Sequence, residues 1–80
     1  MKVFVVEVRS FRHGSIDATV SCIVSSYENA RLHMKKNIHS MNPNHWWTVY
    51  SQLVDGGSVC EEMMHFNYLG EPKASQKLAR

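Results

Sequence analysis

Cysteine is scarce in this 80-residue chain: Cys22 and Cys60 are its only two, too few for a disulfide-stapled scaffold and without the C-x-x-C spacing of a redox or metal pair. Reduced, buried thiols are the expected state. Long apolar runs are lacking too. The opening Val3 to Val6 stretch is cut by Glu7, far short of the roughly 18 residues of a membrane span and too short for a signal-peptide core. The expectation is a cytoplasmic protein with no membrane partner. A sequence of this length has no room for a second domain, and its one core is thin.

Charge of one sign is missing from the body of the chain. The formal net charge is +2, yet over residues 1–70 six basic and six acidic side chains cancel, and the whole excess sits in residues 71–80. A domain without net charge is a poor electrostatic footprint for nucleic acid. The expected organisation is one domain over 1–70, followed by a flexible basic tail over 71–80.

Self-contained catalytic motifs are also absent. The chain carries no G-x-S-x-G, no H-E-x-x-H and no P-loop, and Glu61 and Glu62 are adjacent on an expected strand, so they point to opposite faces. Neither cysteine, both assigned to core positions, offers an activated thiolate. His33, His39 and His45 recur every six residues, but on a helix the first two stand about 120° apart, off the shared face that i, i+4 ligands occupy. The reading is therefore no enzyme, no metal and no cofactor.

What is present is a strand and helix pattern. Lys2 to Phe11 is rich in valine and phenylalanine on both alternating faces, as a central strand is. Glu7 and Arg9 share one of those faces and mark it as the less buried. Ile16 to Ser25 alternates cleanly, with Ile16, Ala18, Val20, Cys22 and Val24 on one side, as in a half-buried edge strand; Ile23 lies on the polar side and adds to a surface patch. Ser25 with Glu28 fits a capping box, Ser26 competes as N-cap, and Tyr27, Ala30, Met34, Ile38 and Met41 form the apolar stripe of a helix that ends before Pro43. Trp46 to Val54 is a third strand, Asp55-Gly56-Gly57 a hairpin turn, and Ser58 to about Tyr68 a fourth strand with Cys60, Met64, Phe66 and Tyr68 inward.

The order is ββαββ, an α+β fold. Placing the two doubly apolar strands in the middle gives an antiparallel sheet of order 2-1-3-4, and the helix covers the face bearing Phe4, Val20, Trp47 and Phe66. The other face presents Val3, Val5, Trp46, Tyr50, Met63 and His65, with nothing left in the chain to cover them.

That uncovered face gives the first functional expectation: a protein interface at Val5, Trp46, Tyr50, Met63 and His65, for another protein or for a second copy in a homodimer. The alternative is a nucleic-acid module, using Arg31, Lys35, Lys36 and His39 along the helix with the tryptophans as stacking platforms. The same helix face would also suit an acidic partner.

The junction Cys22-Ile23-Val24-Ser25-Ser26-Tyr27-Glu28-Asn29-Ala30, followed by His45-Trp46-Trp47 opening a strand, resembles a run found in small phage-encoded accessory proteins. The resemblance spans about residues 2–55. It implies a noncatalytic inhibitor or modulator that binds a host or defence protein stoichiometrically, in the host cytoplasm, and it assigns no site residues.

Overall fold

A computed structural model describes residues 1–54 and 60–73. The expected turn at Asp55-Gly56-Gly57, the side chains of Cys60 and Glu61, and the tail from residue 74 onward lie outside the described residues. Four strands, β1 (Lys2–Arg12), β2 (Ser15–Val24), β3 (His45–Leu53) and β4 (Cys60–Phe66), form one antiparallel sheet in the order β2-β1-β3-β4. Helix α1 (Tyr27–Asn37) continues as a 3₁₀ turn over Ile38–Ser40. This is the expected α+β fold, in the expected strand order.

Local chemistry fixes the elements. The β1-β2 hairpin closes through His13 and Gly14, both at positive φ (52° and 83°), the backbone of a two-residue turn whose twist matches the strands. Ser26, not Ser25, caps α1: its Oγ accepts the backbone N–H of Asn29 at 3.1 Å. Glu28 therefore sits in the first turn as a dipole partner, with Lys35 and Lys36 in the last. Ser26→Ala is expected to lower stability by about 1 kcal/mol in urea denaturation, and Ser25→Ala to leave it unchanged; the reverse ranking would restore Ser25 as the cap.

The core lies between α1 and the sheet. Ala30 and Met34 from α1 meet Val6, Trp47, Val49 and Phe66, with Phe4, Val8, Cys22, Val24, Tyr27 and Met41 around them. Burial holds the Cys22 thiol pKa above its ordinary value, so it stays protonated.

One expectation about faces is overturned. The β1-β2 register slips between Val6 and Glu7, where Val6 pairs with Cys22 but Glu7 pairs with Val20, leaving Ser21 as an extra residue on β2. A bulge of this kind shifts the side-chain alternation by one. Cys22 and Val24 face α1, as expected. Ile16, Ala18 and Val20 fall on the opposite face, beside Phe11, Arg9 and Glu7. Val20 is therefore not beneath the helix: it is 51% exposed, as is Ile16.

Candidate functional site

The sheet face away from α1 is built by the pleat of four strands. Val5, Glu7, Arg9 and Phe11 come from β1, and Trp46, Thr48 and Tyr50 from β3 stand opposite Arg9, Glu7 and Val5 respectively. On β4, Met63 and His65 pair with Tyr50 and Thr48. On β2, Ile16, Ala18, Val20 and Ile23 pair with Phe11, Arg9, Glu7 and Val5. Period two thus brings Val5, Trp46, Tyr50, Met63 and His65 together on one face.

The middle of this face is polar and already withdrawn from water. Arg9 holds Oε1 of Glu7 through Nε at 2.8 Å and through its terminal nitrogen at 2.7 Å. The side chains of Glu7 and Arg9 are only 13% and 22% exposed. The Tyr50 hydroxyl donates to the other Glu7 oxygen at 3.4 Å. Thr48, fully buried, shares a 2.9 Å hydrogen bond between its Oγ1 and Nδ1 of His65. Val5 is buried as well, so it forms the floor of the face.

Residues 71–73 reach the same region. Asn67 donates its backbone N–H to the Glu71 carbonyl at 2.8 Å, Pro72 bridges Phe66, and Lys73 donates its backbone N–H to the His65 carbonyl at 3.1 Å. Residues 71–73 are thus tied to the end of β4 by backbone hydrogen bonds. The Lys73 ammonium lies 5.3 Å from the centre of the Trp46 ring, a cation–π contact, and Phe11 packs against that ring at 5.8 Å. Trp46 is half-buried as a result.

Around this centre the face is apolar and open: Phe11 is 68% exposed, Ile23 61% and Met63 49%. The bulge at Ser21 adds Ile16 and Val20 to the same ring. Sequence periodicity placed those two on the core side; a polar residue opposing nothing in the strand pairing would have been the only signal, and it is invisible in one strand alone.

His65 titrates below its ordinary value, first because burial disfavours the charged ring and then because Arg9 and Lys73 repel it. A lowered pKa means the unfolded chain binds the proton better. The stabilising contribution is complete above the ordinary value of about 6.5 and is lost as pH falls through it toward the lower native pKa. His65→Gln should flatten that part of the stability-pH curve measured by denaturation between pH 7.5 and 5. An unchanged slope would mean His65 does not report this environment.

The helix residues are distributed differently. Arg31 is laid over Phe66, 5.0 Å from the ring centre, and over Tyr27 at 5.9 Å. Lys35, Lys36 and His39 are exposed. His33 does not join His39 or His45: its Nε2 shares a 2.7 Å hydrogen bond with Ser21 Oγ and its ring meets Trp47 edge-on, whereas His45 Nδ1 accepts the Asn42 backbone N–H at 3.2 Å. Between α1 and the turn after β4 runs an open groove of about 730 Å³, walled by Leu32 and Leu69 and lined by Tyr27, Arg31, Met34 and Lys35. Leu32, 54% exposed beside the cations of α1, forms one wall of this groove.

No family model, no curated protein and no solved structure matches this chain. No helix among the described residues is long and apolar enough to cross a membrane.

Proposed function

We propose that this protein is a small noncatalytic binding module that holds a protein partner against the open face of its sheet. What supports the reading is the ring of Phe11, Ile16, Val20, Ile23 and Met63, each between 49% and 68% exposed, around an ion pair that is largely desolvated before anything binds. Apolar patches of this kind mark interaction surfaces. A partner landing there buries apolar area without stripping fresh charges of water, which is the costly step at a polar interface.

Following the resemblance in the strand-helix junction, the form we propose is an inhibitor or modulator that occupies a host or defence protein stoichiometrically. Exposed Lys35, Lys36 and His39 leave a nucleic-acid reading as the alternative. It is less favoured because Trp46 is already covered by Lys73 and Phe11, and Arg31 is committed to Phe66 and Tyr27.

The test is capture of partners by the tagged chain from bacterial lysate, with and without nuclease, beside the variants Phe11→Glu and Ile23→Asp. One protein retained at fixed stoichiometry, indifferent to nuclease and lost with either variant, is the expected result. Retention untouched by both variants would remove the open face from consideration, and nuclease-sensitive recovery would favour nucleic acid.

A further inference from the structure

The two edges of the sheet are treated differently. Beside β4, Glu71 to Lys73 return along the strand and occupy its C-terminal end with backbone hydrogen bonds to Asn67 and His65. Along β2, among the described residues, no backbone hydrogen bond reaches the outer side. β2 is 10 residues long, and half of its backbone donors and acceptors point outward.

Edges of that length are usually blunted by lysine, proline or inward charge. Ser15–Val24 contains no lysine, arginine, proline or glycine, and five of its residues (Ile16, Thr19, Val20, Ile23, Val24) are β-branched. Its single charge, Asp17, is drawn toward the hairpin by Arg12 at 3.2 Å. Among the described residues the one protective device is the bulge at Ser21, and it leaves Ser15 to Val20 regular.

We propose that β2 of one chain pairs antiparallel with β2 of a second copy about a two-fold axis at Ala18, joining two sheets into one of eight strands. The occupant follows from self-complementarity. In that register Ile16 stands opposite Val20 of the second copy, both on the open face, and Asp17 stands opposite Thr19 of the second copy, both on the helix side. No like charges meet, and the apolar rows run across the seam. An isologous contact of this kind closes at two copies, and the return of residues 71–73 beside β4 obstructs growth from the other edge.

The axis stands perpendicular to the sheet, so both helices lie on one side and both open faces on the other. A partner with two equivalent sites would then engage both faces at once and gain avidity without new contacts. The pairing itself is independent of what the open face binds. It is a small contact, in the class under about 1,200 Å², so the dimer depends on concentration.

Sedimentation equilibrium of the whole chain between about 10 µM and 1 mM tests it. The weight-average mass should climb from 9.2 kDa toward twice that value. Ala18→Glu, which gains Arg9 as a cross-strand neighbour in its own chain but meets itself on the axis, should weaken association at least tenfold. Thr19→Lys sets a cation against Asp17 on each side of the axis and should tighten it roughly threefold to tenfold at low salt. Phe11→Glu, on β1 one strand in from the seam, should leave the mass unchanged. A wild-type chain that stays at 9.2 kDa throughout overturns the proposal. So does a dimer indifferent to Ala18→Glu, or one that Phe11→Glu dissolves.

Discussion

Trp47→Ala is expected to cost about 3–5 kcal/mol, most of the net stability on the order of 4–12 kcal/mol that an 80-residue domain commands. Trp47 is 1% exposed and stands at the centre of the core, paired across the sheet with Val8 and Phe66 and facing Ala30 and Met34 of α1. Its removal opens a cavity beneath a single helix, with no second layer to collapse into it. Trp46, the preceding residue, points to the opposite face, where Phe11 and Lys73 flank it. Trp46→Ala should therefore cost about 1–1.5 kcal/mol, a partial loss of burial and a cation–π contact. Equal costs for the two substitutions in urea denaturation would contradict the assignment of faces.

Trp47→Phe separates size from polarity. The indole Nε1 of Trp47 is buried with no hydrogen-bond partner among the described residues, and an orphaned donor of that kind is itself destabilising. Phenylalanine removes the donor along with some volume, so the two terms oppose and the expected cost is below about 2 kcal/mol.

The difference between those tryptophans was legible in the sequence, because β3 alternates and the phase is set by Val49 and Tyr50. Strand order was legible for a related reason: only β1 and β3 carry large apolar groups on both faces, which places them inside the sheet. The helix stripe of Ala30 and Met34 followed from the 3.6-residue period. The faces of β2 were not legible, since alternation within a strand assumes an unbroken ladder and a bulge is a property of the pair. The apolar side chains Ile16 and Val20 were thus assigned to a core they do not enter. Glu7 and Arg9 do mark the less buried face, the one away from α1, and two residues apart on one strand they also reach each other, so that as a pair they are largely withdrawn from water. Lys73 could not be placed from composition, because its position depends on the backbone bonds of residues 71–73 to β4.

Arg9→Ala is expected to lower stability by about 1–3 kcal/mol, more than an exposed ion pair is worth and less than a fully enclosed one. The reason is what it leaves behind. The Glu7 carboxylate, 13% exposed, would keep the long 3.4 Å contact from Tyr50 but lose both short bonds from the guanidinium. Removing both charges together with Glu7→Gln and Arg9→Met should recover most of that loss, because the methionine fills the stem of the arginine and no uncompensated charge remains. A double-mutant cycle reads the coupling directly. The same substitution takes one of the two cations away from His65, whose native pKa should then move back toward its ordinary value in a proton NMR titration. A cycle with no coupling, together with an unmoved His65, would show that the pair does not organise this face. Coupling above about 1 kcal/mol with a shifted His65 would establish that the centre of the open face is a preformed, desolvated unit.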